Sequence, residues 1–263
     1  MAVPSIALSE SPGPAGAPLV VLGPSLGTST ILWEKVVPAL TGRYRVIAWD
    51  LPGHGASTPA GDAFTIGDLA DAVADAIVAS GAGGVLYAGV SLGGATGLEL
   101  LLRHPQLVEG AAIIASGAQL GDPPGWHDRA AQVRAQSTSS LISASAGRWF
   151  APGSIEREPD LSGRLLHALQ DADDESYALC CEALADYDVR DRLGEIRVPV
   201  LAAWGEHDAV APEAKSREIA DGVIDGRTVR IDGAAHLPPA ERPPGTASAI
   251  LDFFDGLNGR DAR

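Results

Sequence analysis

Gly84-Val85-Leu86-Tyr87-Ala88-Gly89-Val90-Ser91-Leu92-Gly93-Gly94, running on through residues 95–103 to His104-Pro105, is the stretch on which the reading of this 263-residue chain turns. Residues 84–88 form a short apolar run with strand character, and residues 95–103 read as a helix that stops at His104-Pro105. The turn between them reads Gly-x-Ser-x-Gly. A strand-to-helix turn this sharp leaves no room for side chains beside the serine, so glycine is needed two residues to either side. Ser91 is therefore expected to project from the start of a helix, where the N–H of Leu92 faces developing negative charge. The pattern predicts a serine nucleophile; the plainer alternative is a polar turn residue.

Working outward, further apolar runs lie at residues 18–22, 44–49, 110–115, 198–204 and 228–231. Between them, Trp33, Val36, Val37 and Leu40 share one helical face, as do Ile66, Leu69, Val73 and Ile77. Strands alternating with helices predict an α/β fold with a mostly parallel central sheet covered by helices on both faces, and sites beyond the carboxyl ends of the strands. The alternation stops between about 120 and 191, where no strand-like run occurs. The expected organisation is a core of residues 1–119 and 192–263 with a helical lid inserted at 120–191. Its edges are Gly121-Asp122-Pro123-Pro124-Gly125 and Ile196-Arg197-Val198-Pro199, with a closing helix over 247–257 and a frayed polar tail at 259–263.

A formal charge of −15 with scattered basic residues argues against nucleic acid or an anionic membrane as partner. Of the 19 basic residues only Lys35 and Lys215 are lysines, so nearly every cation is a guanidinium able to grip a carboxylate with two bonds. Cys180 and Cys181 are adjacent and read as free thiols of a reducing compartment. Met1-Ala2-Val3-Pro4-Ser5 has no charged segment followed by an apolar run, and no stretch is apolar enough to span a bilayer, so a cytoplasmic location is expected. Oligomeric state is not legible.

A serine hydroxyl needs a base, and six histidines are available. His54 lies in a Gly-His-Gly turn and reads as structural. His104 suits a helix C-terminus, His127 and His167 fall in the lid, and His207 reads as a loop bystander. His236 follows the late run 228–231 through Asp232-Gly233-Ala234-Ala235, above the carboxyl edge of the sheet. It is the expected base. The orienting acid belongs on the loop after 198–204, and Asp208 is preferred to Glu206 and Asp232, giving the chain order Ser, Asp, His. A second oxyanion donor is expected from Gly23-Pro24-Ser25-Leu26-Gly27-Thr28 after the first core strand, where the N–H of Leu26 would pair with that of Leu92.

With these residues in place, the chain resembles the 3-oxoadipate enol-lactonase family of the α/β-hydrolases over nearly its whole length. The carriers are Ser25-Leu26-Gly27-Thr28, Trp33-Glu34, Asp50 with Gly53-His54-Gly55-Ala56-Ser57, the Ser91 turn, Arg148-Trp149-Phe150, Gly205 with Asp208, and His236-Leu237 with Glu241. The resemblance implies opening of 3-oxoadipate enol-lactone to 3-oxoadipate, in the catabolism of aromatic compounds, through an acyl-enzyme and with no metal or cofactor. That small substrate carries a carboxylate, for which Arg129, Arg134 and Arg148 are candidates beside the aromatic walls Trp126 and Trp149. Pro24 and the Pro238-Pro239 pair depart from the family pattern. Some relatives carry a fused decarboxylase domain, which a chain running to Arg263 is expected to lack. The rival readings are a general carboxylesterase or cofactor-free perhydrolase of the same fold and, more remotely, a slow-turnover small-molecule receptor.

Overall fold

The computed structural model describes residues 3–258. Seven strands form one sheet in the order β1-β3-β2-β4-β5-β6-β7: β1 (Ala7–Ser11), β2 (Leu19–Gly23), β3 (Arg45–Asp50), β4 (Val85–Val90), β5 (Val108–Ile114), β6 (Val200–Gly205) and β7 (Gly226–Ile231). Only β1 runs antiparallel, pairing Ala7 with Asp50 and Leu8 with Trp49; the other pairs are parallel. Every residue of β2, β4 and β6 is buried, as strands covered on both faces must be. The fold is that of the α/β-hydrolases.

Within the core, α1 (Val37–Leu40), α2 (Ile66–Ala79) and α3 (Leu92–Arg103) precede β5, and α9 (Glu213–Gly222), α10 (Pro238–Glu241) and α11 (Pro243–Asn258) follow β6. Thr65 caps α2 by accepting the Asp68 N–H, while Asp68 accepts the N–H of Thr65 in return. Between β5 and β6 the chain is helical throughout its regular elements: α4 (Pro123–Gln136), α5 (Ile142–Trp149), α6 (Ser154–Arg157), α7 (Pro159–Asp171) and α8 (Asp174–Ala185). Leu161, Leu165 and Leu169 of α7 turn one buried stripe inward. This helical segment is fastened to the core by Lys35 with Glu158, by Arg164 with Glu34, and by the Asp173 N–H donating to the Gly53 carbonyl at 2.8 Å.

Three details depart from expectation. β1 is not announced by an apolar run because Ala-Leu-Ser-Glu-Ser lies on the sheet edge with its side chains largely exposed. Residues 33–40 are not one helix: a 3-10 turn over Thr30–Trp33 gives way to the single turn α1, where Pro38 removes a helix donor. Trp33, Val36 and Leu40 are still buried, so the periodicity marked the core without marking the element. The closing helix begins at Pro243, earlier than 247, because prolines suit a first turn whose N–H groups need no partner. The tail at 259–263 lies outside the described residues.

The β4–α3 junction is wedged against the loop after β2. Gly93 donates its N–H to the Pro24 carbonyl at 2.9 Å, and the buried Tyr87 hydroxyl donates to the Gly93 carbonyl at 2.6 Å. A Cβ on Gly93 would sit 2.5 Å from the Pro24 oxygen and 2.6 Å from the Gly23 carbonyl carbon, all backbone atoms. Gly93→Ala is therefore expected to lower stability by about 1–3 kcal/mol, read from the urea unfolding midpoint. An unchanged midpoint would mean that the β2 loop retreats freely.

Candidate active site

Ser91 sits between β4 and α3 at φ 54°, ψ −115°, a conformation that costs a non-glycine residue on the order of 1–3 kcal/mol. The surroundings over-determine it. The Ser91 N–H donates to the Ile114 carbonyl at 2.9 Å, and the Ser91 carbonyl accepts the Ala95 N–H at 2.9 Å and the Ser116 hydroxyl at 2.7 Å. A Cβ on Gly89 would fall on the Gly93 carbonyl, which is why the pattern demands glycine there.

His236 and Asp208 come from the loops after β7 and β6. Their side chains and that of Ser91 meet in one buried chain: His236 Nε2 lies 3.0 Å from Ser91 Oγ, and His236 Nδ1 lies 3.0 Å from Asp208 Oδ2. An ionised carboxylate only accepts, so Nδ1 carries the proton and Nε2 is left to accept from the serine hydroxyl. The second oxygen, Asp208 Oδ1, accepts the N–H groups of Val210 at 2.8 Å and Ala211 at 3.0 Å. Burial opposes ionisation of Asp208, but the charge and hydrogen bond of His236 together with these two N–H groups outweigh it, and its pKa lies below the usual carboxylate value.

The alternatives are engaged elsewhere. Glu206 accepts the Gly233 N–H, Asp232 pairs with Arg230, His104 pairs with Asp71, and His127, His167 and His207 are exposed.

Opposite the serine, Ser25–Thr28 closes a tight turn: Thr28 donates its N–H to the Ser25 carbonyl at 3.0 Å, and Gly27 takes φ 80°, a value suited to glycine. The Leu26 N–H has no partner among the described residues, and Leu92, first in α3, has no carbonyl within the helix to bond. These are the two donors anticipated for an oxyanion. His54 holds the turn from below, its Nε2 accepting the Gly27 N–H at 3.2 Å and its Nδ1 donating to the Pro52 carbonyl at 2.9 Å. Burial lowers the pKa of His54 to about 4, so the ring is neutral, and it stacks on Tyr177 with centroids 6.0 Å apart.

A cavity of about 360 Å³ opens over Ser91 and His236, walled by Leu26, Leu120, Trp126, Trp149, Tyr177 and Val210 and bearing Arg129 and Arg148, with Asp122 as its one acid among the described residues. The Arg129 guanidinium lies over the Trp126 ring, 5.1 Å from its centroid. Arg148 is held below the usual guanidinium value, first by desolvation and then by the like charge of Arg129. No acid pairs with either among the described residues, whereas Arg134 is clasped by Glu175 and Glu182 away from the cavity. Of the three candidate arginines, Arg134 thus faces two acids of α8 and does not line the cavity.

Tyr177, Leu120 and Val210 carry no motif in the sequence, and only the packing of α8 and the loops on the sheet brings them to the cavity. The arrangement can deprotonate a serine, hold an oxyanion and attract an anionic group. Among the described residues no cluster of His, Cys, Asp or Glu is placed to hold a metal ion.

A family model described as the alpha/beta hydrolase fold matches residues 18–243. The chain is 32% identical to 3-oxoadipate enol-lactonase 2 of Acinetobacter baylyi, over 94% of this chain and 92% of that protein. It is 27% identical to the carboxylesterase YbfK of Bacillus subtilis, over 93% of this chain and 82% of that one. Among solved structures, the enol-lactonase of Burkholderia xenovorans LB400 matches with a TM-score of 0.91 at 32% identity, covering 95% of this chain and 96% of that one. With the family model spanning most of the sheet and both enol-lactonases matching nearly end to end, the chain belongs to the α/β-hydrolase fold family and, within it, to the 3-oxoadipate enol-lactonase family.

Proposed function

We propose that this hydrolase opens 3-oxoadipate enol-lactone, with Ser91 as nucleophile, His236 as base and Asp208 as the group that orients it. The observation that carries the proposal is the 3.0 Å and 3.0 Å chain from Asp208 through His236 to Ser91, opening into a cavity that bears two guanidinium groups, neither paired with an acid among the described residues. A protein of charge −15 repels an anion at long range. Arg129 and Arg148 supply local positive charge where the lactone's carboxylate would sit.

In this mechanism Ser91 Oγ attacks the lactone carbonyl as His236 Nε2 takes its proton. The N–H groups of Leu26 and Leu92 receive the oxyanion. Collapse of the tetrahedral intermediate breaks the ring C–O bond, the enol oxygen leaves with the proton held by His236, and the enol tautomerises to the ketone. Water, deprotonated by His236, then attacks the acyl ester and Ser91 leaves with its proton restored, releasing the dicarboxylate. Residues 120–191 act as the lid that carries Trp126, Arg129, Arg148 and Trp149 over the serine. The free, buried Cys180 and Cys181 suit a cytoplasmic enzyme.

A second reading, a carboxylesterase for neutral esters, draws support from the apolar walls Leu120, Trp126, Trp149 and Val210 and from the esterase among the relatives.

Loss of ultraviolet absorbance of the lactone, compared with cleavage of a neutral p-nitrophenyl ester, tests the two. Strong preference for the lactone in kcat/KM is expected; cleavage of the ester alone would sink the lactonase reading. Ser91→Ala and His236→Ala should each lower turnover by about 10⁴-fold or more while remaining folded, and Asp208→Asn by roughly 10⁴-fold through the wrong imidazole tautomer. Near-parental turnover in any of these would refute the assignment. Arg129→Gln and Arg148→Gln should each cost about 10-fold or more in kcat/KM for the lactone while sparing the neutral ester. Arg134→Gln should spare both, and equal losses on the two substrates would show that the arginines do not read the carboxylate.

A further inference from the structure

Glu241 is a buried carboxylate, 3% exposed, that takes no part in the steps above and has no basic side chain paired with it among the described residues. Its partners are three backbone N–H groups. Oε1 accepts those of Ala235 at 2.8 Å and Leu237 at 3.2 Å, the residues on either side of His236, and Oε2 accepts that of Ala151 at 2.6 Å. Ala151 directly follows the Arg148-Trp149-Phe150 segment that walls the cavity. The His236 N–H itself donates to the Trp149 carbonyl at 3.1 Å.

We propose that Glu241 is a positioning residue for the reaction: by grasping both neighbours of His236 with one oxygen and Ala151 with the other, it sets the imidazole over Ser91 and locks it to the wall carrying Arg148 and Trp149. This rests on the reading of His236 as the base.

A carboxylate that merely capped α10 would need only the Leu237 N–H, since Leu237 is the residue preceding that helix. The Ala235 and Ala151 bonds reach beyond the helix, to the far side of the base and to a segment 90 residues away in sequence. Glycine and alanine make up residues 233–235 before His236, so the loop has few side chains of its own to hold it. Glutamine at this position keeps one acceptor oxygen but turns an amide donor toward N–H groups, which frees one anchor and repels it.

The test uses a fluorophosphonate, which reports base position without depending on the lactone. Ser91 Oγ bonds to phosphorus, fluoride departs, and His236 takes the hydroxyl proton. Phosphonylation of Glu241→Gln is expected to be about 10-fold slower or worse, with kcat falling on the lactone and the neutral ester alike. The downfield proton resonance of the His236–Asp208 hydrogen bond should shift or broaden. A purely structural carboxylate would lower the thermal midpoint but leave the rate per folded molecule and the resonance where they are.

Ala151→Pro gives a second test that leaves Glu241 intact. It replaces the N–H that Oε2 accepts with a ring carbon, so this oxygen loses its anchor and is pushed aside, and Phe150 at φ −115°, ψ 132° already has the conformation preferred before proline. About 5-fold slower phosphonylation is expected. A parental rate in either folded variant overturns the proposal, and if Glu241→Gln does not fold, Ala151→Pro decides alone. A parent protein left unmodified at Ser91 would overturn the triad reading and this inference with it, an outcome distinct from equal rates in parent and variant.

Discussion

The arrangement hangs on one strained residue. Holding Ser91 at positive φ requires that β4 end and α3 begin within a single peptide, and the surrounding groups answer to that requirement. Gly89 and Gly93 have no side chain because backbone already occupies the space, Ile114 and Ser116 grip the serine's own peptide groups, and the Pro24 carbonyl receives the Gly93 N–H. That last bond brings the loop after β2 beside Ser91, and with it the Leu26 N–H. The strain thus aligns a hydroxyl, a helix start and a turn donor at one point above the sheet.

Charge is distributed with a similar economy. The surface is acidic, and most arginines are paired with nearby acids; Arg134, Arg164, Arg190 and Arg217 all have carboxylate partners. Arg129 and Arg148 differ in lying at the cavity with no acid paired to either among the described residues, Arg129 over the Trp126 ring. A guanidinium stacked on indole retains its charge and its outward donors, so it can offer two hydrogen bonds to a planar anion.

What the sequence discloses and what it withholds follow one physical division. Buried central strands are legible because both faces meet protein, so β2, β4 and β6 read as continuous apolar runs. β1, exposed on the edge, has no such run. Ser91, Asp208 and His236 each follow a strand and announce themselves by local pattern, and the structure brings the three side chains together. Of the cavity residues, Trp126, Arg129, Arg148 and Trp149 follow from the family resemblance, whereas Leu120, Tyr177 and Val210 carry no pattern that marks them. Arg134 and Arg129 occupy the same helix five positions apart, and nothing in that spacing says that Glu175 and Glu182, some forty residues on, capture one and leave the other. Helical periodicity likewise located Trp33, Val36 and Leu40 in the core while misjudging the element, since a 3-10 turn and a proline-interrupted helix can bury the same side chains as a regular one.

The turn that carries Leu26 stands on His54, sealed from solvent as a neutral ring, and this ties the fold to acidity in a definite direction. In the unfolded chain a histidine takes up a proton near pH 6.5, whereas in the folded protein burial delays uptake until about pH 4. Between those values the unfolded chain binds the extra proton and the native one does not, so this residue's contribution to stability declines as pH falls from 6.5 toward 4 and levels off below. Acid therefore weakens the support beneath the Ser25–Thr28 turn, where a protonated ring can no longer accept the Gly27 N–H.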